Sequence, residues 1–249
     1  MKNLKVTIAY NGSAYNGYQS QPCGNTVQDN LQKTMSTLLN QSVTINGCSR
    51  TDAGVHARQF VFNALYNDSL SSITPDSFVR AMNGSLPCDI AVLSCEYAPV
   101  DFHARFCAKG KEYLYLVDTS KVKNVFAADL ALHYPYEIDV LKLREAASVM
   151  VGQHDFAAFC KAEAKEHLKS TVRTVTDIRI EKNNDQVEFY VSGDGFLHNM
   201  VRIIVGTLIY VNENKRSIED IKEAIETGNR EKAGKTLPPH GLYLNKVFY

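Results

Sequence analysis

The chain has 249 residues, 45% of them apolar and 22% charged, and its 27 basic residues are balanced by 27 acidic ones. This excludes disordered, collagen-like, coiled-coil and disulfide-scaffold classes, and the zero formal charge shows no polybasic nucleic-acid coat or membrane anchor in the totals. A local basic cleft stays compatible with it, because net charge is silent on distribution.

From the N-terminus, Leu4, Val6, Ile8 and Tyr10 alternate with Lys5, Thr7 and Ala9, the pattern of a half-buried strand. Asn11-Gly12 and Asn16-Gly17 then supply dense turn chemistry. Thr26 is placed to cap a helix with the apolar stripe Val27, Leu31, Met35 and Leu38. Asn46-Gly47 opens a polar loop over residues 48–58, and residues 60–66 read as a strand. Thr74-Pro75 signals a capped helix with Phe78 and Met82 on one face, and residues 90–97 a further strand.

The pattern then begins again. Residues 106–117 are strand-like, with Tyr113, Tyr115 and Val117 on one face, and Asp139 caps a helix to Met150. Residues 172–180 and 187–192 predict an antiparallel pair around Asn183-Asn184-Asp185. Helical spacing runs over 196–211, Ser217 starts a short helix with Glu219 and Asp220 in its first turn, and residues 243–248 close as a strand. Hairpin turns link the strands as often as helices do. The expected class is therefore α+β with largely antiparallel pairing, in an N-terminal half, residues 1–105, and a C-terminal half, 106–249. The first half carries 7 basic and 7 acidic residues and the second 20 and 20.

The six cysteines, Cys23, Cys48, Cys88, Cys95, Cys107 and Cys160, form no C-x-x-C pair and read as reduced thiols, pointing to the cytoplasm. The N-terminus lacks the apolar core of a signal peptide. The most apolar stretch, residues 200–211, is broken by Arg202 and falls far short of the ~20 residues that span a bilayer. No phosphate-binding, dinucleotide, zinc-protease or nucleophile-elbow motif occurs. The densest polar segment is Ser49-Arg50-Thr51-Asp52-Ala53-Gly54-Val55-His56-Ala57-Arg58. It reads as a solvated surface turn, as part of a metal site through Asp52 and His56, as a hydrolytic acid/base pair, or as a lone catalytic carboxylate with arginines for a polyanion. Neither further metal ligands nor a complementary nucleophile stands nearby.

The last reading gains from segments elsewhere. Asp52-Ala53-Gly54-Val55-His56-Ala57 behind Cys48-Ser49-Arg50-Thr51 resembles the catalytic loop of the tRNA pseudouridine synthase A family. Ala9-Tyr10-Asn11-Gly12-Ser13-Ala14-Tyr15-Asn16-Gly17-Tyr18-Gln19 resembles its opening strand and turn, and Thr26-Val27-Gln28 its first helix start. Asp101-Phe102-His103-Ala104-Arg105-Phe106 followed by Lys111-Glu112-Tyr113 resembles its central motif. Gly195-Phe196-Leu197-His198-Asn199-Met200-Val201-Arg202 and Gly241-Leu242-Tyr243-Leu244 resemble its C-terminal blocks. The segments stand in family order over nearly the whole chain. The chain departs from the family pattern at Cys48-Ser49, where Ala-Gly is usual, at Tyr18, where tryptophan is common, and at Lys111-Glu112, where a basic pair is frequent.

The resemblance implies two similar halves around a joined sheet with a central cleft, and a cytoplasmic homodimer acting on tRNA. It implies isomerisation of uridine to pseudouridine at positions 38 to 40 of the anticodon stem-loop, without cofactor or metal. Asp52 matches the catalytic carboxylate, Arg202 the arginine that pairs with it, Tyr113 the tyrosine against the target base, and Leu242 a residue near the base pocket. Arg50 is expected to engage the RNA where the base leaves the stack, or a neighbouring phosphate, and His56 to support the loop. Arg58, Arg105, Lys109 and Lys111 are candidates for phosphate contacts. The alternatives are a non-catalytic RNA-binding protein on the same fold and a paralogue acting at another RNA site.

Overall fold

The structure, a computed structural model, describes residues 1–69, 73–161 and 169–249. Its residues gather into two compact units, Met1–Lys109 with Tyr243–Tyr249, and Gly110–Leu242.

In the first unit, strand β1 (Lys2–Tyr10) buries Leu4, Val6, Ile8 and Tyr10, as the alternation requires. Helix α1 (Val27–Leu39) follows a reciprocal cap, in which Thr26 and Asp29 each satisfy the other's backbone N–H, and it buries Val27, Leu31, Met35 and Leu39. Each such side chain contributes roughly 1.5–3 kcal/mol on burial. The short β2 (Ile45–Gly47) pairs with β3 (His56–Tyr66). Helix α2 (Pro75–Asn83), capped by Thr74, packs on β4 (Ile90–Ala98). β1 runs antiparallel to both β3 and β4. A two-asparagine network sits in this unit's interior. Asn3 donates to the carbonyls of Pro99 and Phe102 at 2.8 and 2.9 Å, Asn63 donates to Asn3 Oδ1, and Asn63 Oδ1 accepts from Ala104 N at 2.9 Å. Both side chains are buried and hydrogen-bonded, so the network fixes residues 99–104 against the strands.

In the second unit, β5 (Gly110–Asp118) pairs antiparallel with β9 (Gln186–Gly193), β9 with β8 (Val172–Asn183), and β8 with β7 (Gly152–Asp155). The two-residue β6 (Leu132–His133) adds a parallel pair to β5. The β8–β9 turn places Asn184 at φ +54°, a left-handed position that asparagine tolerates. Helix α3 (Val140–Ser148), capped by Asp139, packs on β8 and on α4 (Met200–Asn212), and α5 (Ile218–Thr227) carries a capping box of Ser217 and Asp220. The strand β10 (Leu242–Phe248) begins with Leu242, and its next residues join the first unit as a parallel partner of β3, Tyr243 opposite His56. The class is α+β, with five α-helices and largely antiparallel pairing among the described residues. None of these helices is long and apolar enough to cross a membrane.

Three expected boundaries shift. The polar loop ends at Val55, because His56 to Arg58 already belong to β3. The strand expected from residue 106 starts at Gly110, since Cys107 N bonds the His103 carbonyl and closes a turn first. The helix expected from residue 196 starts at Met200, because Asn199 at φ +65° interrupts it.

Candidate functional site

The loop that carries Asp52 is held from both sides by the two N-terminal turns. A Cβ on Gly12 would lie 2.0 Å from the Val55 carbonyl oxygen. One on Gly17, whose φ is +85°, would lie 2.6 Å from the Thr51 carbonyl oxygen. Only glycine allows backbone to approach backbone this closely. Hydrogen bonds complete the clamp. Tyr18 N donates to the Thr51 carbonyl at 3.1 Å, the Tyr10 and Thr51 hydroxyls share a 2.8 Å bond, and Val55 N returns to the Asp52 carbonyl at 3.2 Å. Gly54 turns the chain at φ +77°. Asp52 sits half-buried at the crest of this turn.

His56 is 1% exposed, too enclosed to serve as a mobile proton carrier. Its Nδ1 accepts from Gly12 N at 3.0 Å, which places the ring proton on Nε2, and its ring stacks on Tyr243 at 4.6 Å. It thereby ties the loop's exit, the Gly12 turn and β10 together. Arg58, exposed, lies 5.3 Å from the centre of the same tyrosine ring. Burial pushes the Tyr243 phenol up to about 12, against the opposing effect of Arg58. Cys48, at the loop's entry, is fully buried, and its N–H bonds the Val61 carbonyl at 2.8 Å.

Arg50 projects from this loop into a groove of about 290 Å³ that Arg105, His103, Phe106, Asn46 and Gln28 also line. Tyr18 forms part of its wall. The Tyr18 ring is stacked on Phe60 at 4.1 Å and pressed to Gly47, where a Cβ would approach it to 2.4 Å. Its hydroxyl is buried with no hydrogen-bond partner among the described residues, and burial raises its pKa well above the ordinary tyrosine range.

In the second unit one segment, residues 233–241, holds Arg202 and leads directly into Leu242. It lies directly on α4, where a Cβ at Gly206 would meet the Lys235 carbonyl oxygen at 1.9 Å, and Gly234 N donates to the Thr207 hydroxyl at 2.8 Å. Arg202 on α4 donates from Nε to the Leu237 carbonyl at 2.6 Å and from Nη1 to Asn199 Oδ1 at 2.7 Å. The guanidinium is therefore aimed by the backbone, not left to extend along the helix surface. The same segment docks on β5: Tyr115 donates to the Pro238 carbonyl at 2.8 Å, and Gly241 passes so close that a Cβ would stand 2.7 Å from the Tyr115 ring. Leu242, 7% exposed, follows directly. Tyr113 lies on β5, 7% exposed, with Phe196 edge-on at 5.2 Å. Burial lowers the pKa of His240, in the same segment.

Glu112 takes an inward position beside Ser192, whose hydroxyl donates to it at 3.3 Å, and Arg179 Nη2 stands 3.9 Å away. The acid is thus matched within its own sheet. Arg50, Asp52, His56, Arg58, Arg105 and Lys109 belong to the first unit, and Lys111, Tyr113, Arg202 and Leu242 to the second. Arg50 and Arg105 come together in one groove, whereas Arg58 faces the Tyr243 ring instead. Among the described residues no group of three or more histidine, cysteine, aspartate or glutamate side chains is arranged to hold a metal ion. Sequence reasoning missed the roles of Gly12 and Gly17 as clamps and of residues 233–241 as a frame. Only the turn chemistry of Asn11-Gly12 and Asn16-Gly17 hinted at the first.

The fold and site define an α+β protein that presents one carboxylate on a clamped loop beside an arginine-lined groove. A family model described as tRNA pseudouridine synthase matches residues 6–107 and 146–249. The chain is 43% identical to "tRNA pseudouridine synthase A 2" of Clostridium perfringens (strain 13 / Type A), over the full length of both. It is 42% identical to "tRNA pseudouridine synthase A" of Geobacillus sp. (strain WCH70), over all of this chain and 98% of that one, and 42% identical to its namesake in Listeria welshimeri serovar 6b, over all of both. The chain belongs to the tRNA pseudouridine synthase family, a family of isomerases.

Proposed function

We propose that this chain isomerises uridine to pseudouridine in tRNA, at positions 38 to 40 of the anticodon stem-loop, with Asp52 as the catalytic carboxylate. The observation that carries the assignment to Asp52 is the clamp: the carboxylate is borne by backbone wedged between Gly12 and Gly17. Full-length similarity to proteins bearing that enzyme's name supports the reaction. The N1–C1′ bond breaks, the uracil turns, C5 bonds to C1′, and the C5 proton is released. An ionised carboxylate drives the first step either by adding to C1′ or by deprotonating the ribose, and both routes release the same proton.

The second unit offers the substrate Tyr113, Leu242 and Arg202. The Tyr113 ring is a stacking surface for an extruded base and its phenol a group for the C5 proton. Leu242 packs on the base, and Arg202 supplies a backbone-aimed positive charge for the carboxylate or the substrate. Arg50 engages the RNA where the base leaves its stack, His56 supports the loop, and Arg58, Arg105, Lys109 and Lys111 take phosphates. The reading extends to a cytoplasmic homodimer needing no cofactor.

The test is tritium release from an unmodified tRNA transcript labelled at uridine C5, with no metal or cofactor added. Stoichiometric release, mapped to positions 38 to 40, is expected. RNA binding without release would favour a non-catalytic RNA-binding protein, and release mapped elsewhere would favour a paralogue with another target.

A further inference from the structure

The groove beside the Asp52 loop contains an aromatic residue that the proposed reaction does not use. Phe106 is 76% exposed, a large apolar ring left in water within a wall of cationic and amide side chains. An isolated exposed phenylalanine calls for no explanation, but this one is built into place. His103 lies against one side of the ring at 4.3 Å, and the Arg105 guanidinium lies 5.9 Å from its centre. His103 Nδ1 accepts from Arg105 N at 3.1 Å and from Phe106 N at 3.4 Å, and Cys107 N closes the turn on the His103 carbonyl at 3.0 Å. The turn is anchored twice, by Ala104 N donating to the buried Asn63 and by the Ala104 carbonyl, which accepts from the Tyr249 hydroxyl at 2.7 Å.

Such anchoring leaves little freedom to lose when a ligand binds. The chemistry of the wall is that of an unpaired nucleotide: a ring for the base, the Asn46 amide for its edge, and Arg50 and Arg105 for its phosphate. The volume, about 290 Å³, is at the small end of ligand clefts, which run ~300–1,000 Å³. Arg50 stands two residues before Asp52 on the same loop, so a nucleotide held here is a neighbour of the one being modified.

We propose that this groove is a stacking subsite for an unpaired RNA base adjacent to the target uridine, with Phe106 as the platform and Arg50 and Arg105 holding the phosphate. This rests on the proposed reaction for the identity of the RNA.

The test uses a stem-loop RNA with 2-aminopurine at each unpaired position beside the target uridine. The full chain is compared with Phe106→Ala, Phe106→Tyr and Arg105→Ala, with tritium release measured on the same RNA. One probe position is expected to be quenched on binding. Phe106→Ala should abolish that quenching and raise Kd by roughly 5- to 150-fold, the range of a base–aromatic stack, while turnover at saturating RNA falls less than threefold. Phe106→Tyr should retain both within about threefold, because the π-face is kept. Arg105→Ala should lower the slope of log Kd against log salt by about one. Unchanged quenching and Kd in Phe106→Ala, in a variant whose thermal melt matches the parent, would overturn the subsite even if tritium release is robust. Quenching that depends on Phe106 in a protein that releases no tritium would overturn the proposed reaction and keep the subsite.

Discussion

Gly12→Ala tests the clamp most directly. The new Cβ would sit 2.0 Å from the Val55 carbonyl oxygen, where real Cβ atoms stay beyond 3.0 Å, so one backbone segment must retreat by about 1 Å. Neither is an end of a flexible side chain. Val55 is buried, its N–H closes the Asp52 turn, and Gly12 N holds His56. The displaced atoms are therefore those that aim the carboxylate. A misplacement of ~1 Å costs on the order of 10²-fold in a reaction that depends on alignment. Overpacking of this kind also costs roughly 1–3 kcal/mol in stability. Single-turnover tritium release at saturating RNA is expected to fall about 100-fold, with RNA affinity changed only a few-fold. Gly24→Ala is the matched control. Gly24 also has a left-handed φ, +64°, but its Cβ would meet nothing within 4 Å, so only backbone strain of about 1–2 kcal/mol is added. A Gly12→Ala protein that turns over like the parent would refute the argument that loop position, fixed by backbone contact, governs the chemistry.

Asp52→Asn should lower turnover by roughly 10⁴-fold while a binding titration stays near parental, and substantial residual release would remove Asp52 from the reaction. Tyr113→Phe keeps the ring that packs against Phe196, so turnover should fall more than affinity; a loss confined to affinity would make Tyr113 a stacking surface alone. Tyr18→Phe removes a buried hydroxyl that has no partner among the described residues, whose desolvation costs ~1–3 kcal/mol, so the melting temperature should hold or rise, and a clear fall would mean that the hydroxyl is bonded in solution.

What the sequence made legible follows from how local each signal is. Thr26, Thr74, Asp139 and Ser217 all cap the helices they announced, because a cap is an interaction within three residues. The alternation of β1 survives because one face is buried against the interior. In β5 the alternation fails: Tyr113, Leu114, Tyr115, Leu116 and Val117 are all buried, so apolar residues run without a break. Boundaries failed where a side chain bonds a near neighbour in a way that apolar periodicity does not report. Phe106 and Cys107 look like strand but are drawn into a turn on His103, and Asn199 stops a helical pattern by adopting a left-handed conformation in which its side chain accepts from Arg202. The parallel pairing of Tyr243 with His56 joins residues far apart in the chain and leaves no local trace. The Asp52 loop was visible as a polar segment, yet polarity alone left a solvated turn and a catalytic loop equally readable. The family motifs separated them.

The two kinds of surface in the first unit are built on opposite terms. Around Asp52 the contacts are backbone against backbone, at Gly12 and Gly17, and no side-chain rotamer can absorb an error there. In the groove, Arg50, Arg105 and Phe106 are exposed and meet a ligand through long or planar side chains that adjust or tolerate substitution. Residues 233–241 repeat the first arrangement in the second unit, with Gly206, Gly234 and Gly241 at the close approaches and Arg202 held by a carbonyl instead of a side chain. A reaction that must break and remake a bond to the same carbon needs geometry that does not drift, whereas recognition of an RNA loop needs contacts that accommodate different neighbouring bases. Substitutions should therefore divide by location: at the glycine clamps they change turnover, and in the groove they change affinity and its dependence on salt. A glycine-clamp variant that loses affinity but keeps turnover, or a groove variant that does the reverse, would refute this division.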